Sequence, residues 1–153
     1  MFFPGNVWTL AYNKLQQKSA HNSYERAEEY PDMLLYDHVR SIEFDCWNDG
    51  TAGQWKIYHV LPTDRTTVNS LADGVKSLKQ IHDLNPNHQP VTVWVDIKSS
   101  LDATHTAAQF DAAISALPLF TPTDLKGAYA SIQAGAQAGW PDTDTTLNES
   151  LFL

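Results

Sequence analysis

"SIEFDCW" (residues 41–47) alternates with a period of two, so that Ile42, Phe44 and Cys46 face one way and Glu43 and Asp45 the other. The same alternation returns in "VTVWVDIKS" (residues 91–99), with Val91, Val93, Val95 and Ile97 on one face and Thr92, Trp94, Asp96 and Lys98 on the other. A half-buried strand normally turns its polar face to water. Here helix-period segments separate the strands, which is the arrangement of parallel α/β architecture, where helices cover the outer face. The acids then point inward, toward the C-terminal strand ends where barrels of this class keep their active sites.

The flanking segments fit that frame. "VNSLADGVKSLKQIHDL" (68–84) spaces Leu71, Val75, Leu78 and Ile81 as one helix face, and "ATHTAAQFDAAISALP" (103–118) does so with Phe110, Ile114 and Leu117. Pro118 closes the second helix, and "TPTD" offers Thr123 as the cap of another. "YNKLQQKSA" (12–20) has the length of a strand, "WKIYHVL" (55–61) is a further short strand, and "LNESLFL" (147–153) begins one more. The gap between "EFDCW" and "KIYHV" is too short for a crossover helix, which needs about a dozen residues, so a tight loop must join neighbouring strands there.

The chain has 153 residues, enough for one domain with its own core. Its net charge of −8 and the absence of a Lys/Arg run argue against nucleic acid as a partner and against electrostatic docking on an anionic membrane. The lone Cys46 excludes an internal disulfide, and "MFFPGNVW" (1–8) lacks the basic and apolar stretches of a signal peptide.

Glu43 and Asp45 stand roughly 6.6 Å apart along one strand face, and Asp96 lies on the inward face of another. Three carboxylates in one covered space repel, and a divalent cation removes the conflict. Asn22 can add an amide oxygen. An all-oxygen set without thiolate favours Ca²⁺ or Mg²⁺ over zinc. Taken singly, the E-x-D pair reads as a solvated strand face and His59 as a surface residue. What changes the balance is that each lies at a strand end in the same register, with His21 and Asn22 adjacent at the end of another strand.

"KSAHNSY", "SIEFDCWNDG", "KIYHVLPTD" and "PVTVWVDIKS", in that order, resemble the catalytic domain of calcium-dependent phosphoinositide-specific phospholipase C. The likeness is to the bacterial-type group, and "NPNHQP" and "GWP" extend it over nearly the whole chain. The resemblance implies an irregular TIM-barrel-like α/β fold. Of that fold, residues 1–153 would form a single catalytic domain truncated at its C-terminal end, with about five parallel strands and an incomplete barrel, open to self-association. It implies His21 and His59 as the catalytic pair, and Asn22, Glu43, Asp45 and Asp96 as Ca²⁺ ligands, Asp96 standing where the family often has glutamate. Lys98 resembles a residue that contacts substrate phosphate, and pairing with Asp96 is the alternative. The implied reaction is attack of the inositol 2-hydroxyl on phosphorus in a phosphatidylinositol-type lipid, with transient membrane contact and a secreted setting. Glycerophosphodiester phosphodiesterase is the nearest rival, but its first histidine is typically followed by Arg-Gly and its second by an acid, where this chain has Asn22-Ser23 and Val60. A barrel that only binds an inositol phosphate or lipid is the other alternative.

Overall fold

The structure, a computed structural model, describes residues 10–61, 65–86 and 88–142 and the backbone of 151–152. Among these residues the strands are β1 (Ser19–Ala20), β2 (Ser41–Asn48), β3 (Trp55–Ile57), β4 (Val91–Ile97) and β5 (Leu151–Phe152). The helices are α1 (Leu71–Leu84), α2 (Ala107–Ile114), α3 (Pro122–Lys126) and α4 (Ile132–Ala138). The strands form one sheet in the order β1-β2-β4-β5, with β3 paired to β2, in a mixed α/β arrangement.

β2 organises the sheet. Along one edge it pairs in parallel with β4, placing Glu43 beside Trp94 and Asp45 beside Asp96. Its other edge is shared: β1 pairs in parallel with Ser41 and Ile42, and β3 pairs with Cys46, Trp47 and Asn48. β5 extends the sheet in parallel beyond β4, where "LNESLFL" leads one to expect a strand; residues 147–150 lie outside the described residues.

Parallel pairing therefore holds for β1, β2, β4 and β5, but β3 is antiparallel to β2. The cause is the short connection already visible in the sequence. Residues 49–54 cannot cross the sheet, so the chain folds back on itself. Hydrogen bonds from Asp49 N–H to Gln54 O (3.0 Å) and from Gln54 N–H to Thr51 O (3.1 Å) close the turn, and Gly53 takes φ +71°, a conformation natural to glycine.

The core lies on the face that alternation assigns to it. Ile42, Phe44 and Cys46 from β2 and Val91 and Val93 from β4 are buried, against Leu71, Val75, Leu78 and Ile81 of α1 and Phe110 and Ile114 of α2. Burial pushes the Cys46 thiol up to about 12, as expected of a cysteine serving as a small apolar side chain. Gly74 lets α1 approach β2 closely: a Cβ there would lie 2.8 Å from Phe44 Cζ. Helix starts are capped by side-chain oxygens, Ser70 for α1 and Thr106 for α2. The α3 cap is Thr121, not Thr123, because Pro122 takes the first helical position and Asp124 returns the capping bond. His82 Nδ1 meets His88 Nε2 at 3.1 Å, tying the end of α1 to the approach to β4. The segment before β1 is a 3₁₀ turn (Tyr12–Lys14) followed by irregular chain rather than a long strand.

Candidate active site

Along the shared edge of β2, β1 and β3 run toward each other. β1 ends beside Ile42, and β3, descending from Asn48, ends beside Cys46. What leaves β1 upward is His21 and Asn22; what leaves β3 downward is Tyr58 and His59. The reversal of β3 thus returns His59 to the level of Glu43 and Asp45.

Strand alternation puts His21 on the face of Ser19, the same face as Ser41 and Glu43 by register. Asn22 can join it only because the strand stops there. Its φ of 46° and ψ of 48° are left-handed, a region that asparagine tolerates better than most residues. The next residues form a 3₁₀ turn, Ser23–Glu25, whose Glu25 N–H bonds back to Asn22 O at 2.9 Å.

This turn is bolted to β2. Asn22 N–H donates to Glu43 Oε2 (2.9 Å), and Ser23 Oγ donates to Glu43 O (2.7 Å) while accepting from Glu43 N–H (3.1 Å). Ser23 Oγ also meets Tyr30 OH at 3.0 Å. His21 Nε2 lies 3.6 Å from Glu43 Oε2. Glu25 links the two sides: Oε2 accepts from Asn22 Nδ2 (3.1 Å), and Oε1 lies 4.0 Å from His59 Nδ1. His59 itself follows a braced segment, for Trp47 stacks on Tyr58 with ring centroids 5.1 Å apart and donates Nε1–H to Tyr58 O at 2.9 Å.

Asp45 lies deepest, 1 % exposed. Its Oδ2 is 3.3 Å from Lys98 Nζ, and its Oδ1 is buried without a hydrogen-bond partner. Lys98 Nζ also donates to Asp96 Oδ2 at 2.5 Å. The hydrogen bond to Asp96 foremost, with Asp45 adding to it, holds the Lys98 ammonium above the usual lysine range. The Tyr24 hydroxyl donates to Asn22 Oδ1 at 3.4 Å; burial first, then the nearby Asp45 carboxylate, raises it far beyond the ordinary tyrosine value, so it stays a proton donor.

His21, Asn22, Glu43, Asp45 and His59 are therefore brought to one stretch of the β2 edge, whereas Asp96 and Lys98 approach from β4. The phosphate contact read for Lys98 is here an ion pair with Asp96 and Asp45. Among the described residues no three His, Cys, Asp or Glu side chains converge as a ready metal cluster. The donor chemistry still fits a hard cation: the carboxylates of Glu43 and Asp45 and the Asn22 amide share one side of the sheet, and the orphaned Asp45 Oδ1 is a buried acceptor lacking a donor. Sequence reasoning missed Ser23, Tyr24 and Glu25. The available signal was "HNSYE" itself, since a turn opened by a left-handed Asn brings positions 22 and 25 together.

Known protein-family models do not match this chain, and no curated protein matches it in sequence. Solved structures do. The calcium-dependent phosphoinositol-specific phospholipase C of a Gram-negative Pseudomonas sp., in its apo form with myoinositol, is 25% identical with a TM-score of 0.81 over 95% of this chain. The calcium-dependent phosphatidylinositol-specific enzyme of Streptomyces antibioticus is 22% identical with a TM-score of 0.75 over 89% of this chain, a likeness of fold. The chain spans 57% of the length of the Pseudomonas protein and 50% of that of the Streptomyces one. In architecture it resembles the calcium-dependent bacterial phospholipases C.

Proposed function

We propose that this chain carries the catalytic portion of an irregular barrel that cleaves a phosphatidylinositol-type phosphodiester with calcium, outside the cell. The observation that carries the reading is the meeting of β1 and β3 along β2, which brings His21 to 3.6 Å from Glu43 and His59 to 4.0 Å from Glu25, itself bonded to Asn22.

The inositol 2-hydroxyl oxygen attacks phosphorus as the bond from phosphorus to the glycerol oxygen breaks, giving a cyclic inositol phosphate and diacylglycerol. His21, whose Nε2 lies 3.6 Å from Glu43 Oε2, takes the hydroxyl proton. His21, exposed at the end of β1, sits against the phosphoryl oxygens as negative charge builds on them. His59, whose Nδ1 lies 4.0 Å from Glu25 Oε1, gives its proton to the leaving alkoxide. Asn22, Glu43 and Asp45, with Asp96 directly or through water, would hold the cation. Bound calcium supplies Lewis-acid activation of the hydroxyl and offsets phosphate charge. Lys98, paired here with Asp96 and Asp45, would supply the phosphate contact.

Two measurements test this. Calcium titration by calorimetry should give saturable heat with the wild-type chain and lose it in Glu43→Gln. Phosphatidylinositol vesicles should release water-soluble inositol phosphate in calcium and not in chelator, and either His21→Ala or His59→Ala should lower the rate by about 10²–10⁴-fold. Equal calcium binding by wild type and Glu43→Gln removes the metal site, and turnover of glycerophosphodiesters in preference to the lipid moves the reading to that rival activity.

A further inference from the structure

Lys98 stands one residue beyond the end of β4, with its backbone N–H held by Cys46 O at 2.9 Å, so the root of the side chain is fixed to β2. From there Nζ reaches two carboxylates on neighbouring strands, Asp96 Oδ2 at 2.5 Å and Asp45 Oδ2 at 3.3 Å. The register brings the two carboxylates together, because Asp45 and Asp96 are direct neighbours across the β2–β4 pair. Like charges side by side on adjacent strands are destabilising, and a cation between them relieves the repulsion. We infer that Lys98 is a resident counter-cation, an ammonium of the chain's own that fills the place between Asp45 and Asp96 and must swing away for a divalent ion to bind there. The inference rests on the calcium site proposed above. It adds that calcium competes with an internal cation, and that calcium binding frees an ammonium next to the substrate phosphate. The carboxylate pair is never without a positive partner, and the phosphate contact becomes available only when calcium has taken over.

The side chain is suited to such an exchange. It is 29% exposed, so its outer end can move into water without unpacking the core. Lysine is a compact point charge on a flexible stem, without the fork geometry that would lock arginine across two carboxylates. Asp45 Oδ1, buried without a hydrogen-bond partner, marks the part of the pair that the ammonium does not satisfy.

The test uses calcium alone, by calorimetry, on wild type, Lys98→Met and Glu43→Gln. Removing two partly exposed ion pairs from the competition should tighten calcium binding about tenfold in Lys98→Met. In chelator the same variant should melt below wild type, and calcium should raise its melting temperature by more than it raises that of wild type. A measurement on the unmodified chain covers failure of the variant to fold: amine acylation followed by mass spectrometry should find Lys98 more reactive in calcium than in chelator, with Lys76 as an exposed reference. Calcium heat in wild type and Lys98→Met at equal affinity, or unchanged Lys98 labelling while calcium binds, overturns the inference and leaves the metal site standing. Heat in neither protein overturns both.

Discussion

The Ser23 hydroxyl is the joint between the histidine-bearing turn and β2, and its removal should be felt well beyond its size. Ser23 is fully buried and its oxygen serves Glu43 O, Glu43 N–H and Tyr30 OH at 2.7, 3.1 and 3.0 Å. Three bonds at about 1 kcal/mol each put the cost of Ser23→Ala at about 3 kcal/mol, because the buried partners are left unpaired. In a domain of this size that corresponds to a fall in Tm of about 6–12 °C. Tyr30→Phe removes one of the three and should cost about 1 kcal/mol. The pair should not add: in Ser23→Ala the Tyr30 hydroxyl has already lost Ser23, so the double variant should be about 1 kcal/mol more stable than the sum of the single losses. Urea unfolding followed by tryptophan fluorescence reads all four corners. A loss below 1 kcal/mol in Ser23→Ala, or strict additivity, would refute the claim that this oxygen fastens the turn.

Two further outcomes follow from the fold. Gly74→Ala places a methyl 2.8 Å from Phe44 Cζ and 3.0 Å from Cε2; overpacking of about 1–3 kcal/mol should outweigh the ~1 kcal/mol gain in helix propensity, and a denaturation midpoint equal to wild type would contradict that contact. Asp102 is held down to about 2 by the Thr104 hydroxyl first and then by the Thr104 and His105 N–H groups. Its folded value lies below the unfolded one of about 3.9, so its bonds are fully effective above that value and are lost as pH falls through about 2. The protection of the Thr104 and His105 amides against hydrogen exchange, relative to their intrinsic rates, should fall over that window, and Asp102→Asn should abolish that fall.

Much of this arrangement is legible in the sequence because alternation on β2 and β4 settles which side chains share a face. Glu43, Asp45, Trp94 and Asp96 do share one, and Ile42, Phe44 and Val93 share the other. The spacing of Leu71, Val75, Leu78 and Ile81 likewise gives the buried face of α1. The direction of β3 is harder to read. A three-residue segment has the same alternation either way, and only the length of residues 49–54 shows that it turns back. The position of Lys98 was equally open, since alternation puts it on the face of Asp96 but does not say whether it points to the neighbouring carboxylates or to a ligand. Trp94 shows the reverse limit: its place in the strand suggests packing, yet it is 62% exposed on the open side of the sheet, with its Nε1–H on Ser41 Oγ. Glu25 was invisible to periodicity because its position depends on one left-handed residue.

The two margins of β2 carry different jobs. Proton donors and acceptors arrive from the β1 and β3 side, and the lysine and its aspartate arrive from β4. A strand that keeps these sets apart allows them to diverge separately. If the proposed cation site is occupied, exchanges on β4 retune it while the imidazoles keep their spacing, and changes to the Trp47–Tyr58 stack shift His59 without touching the carboxylates. Under the proposed reading, such a molecule can lose its need for a metal without first losing its pair of imidazoles.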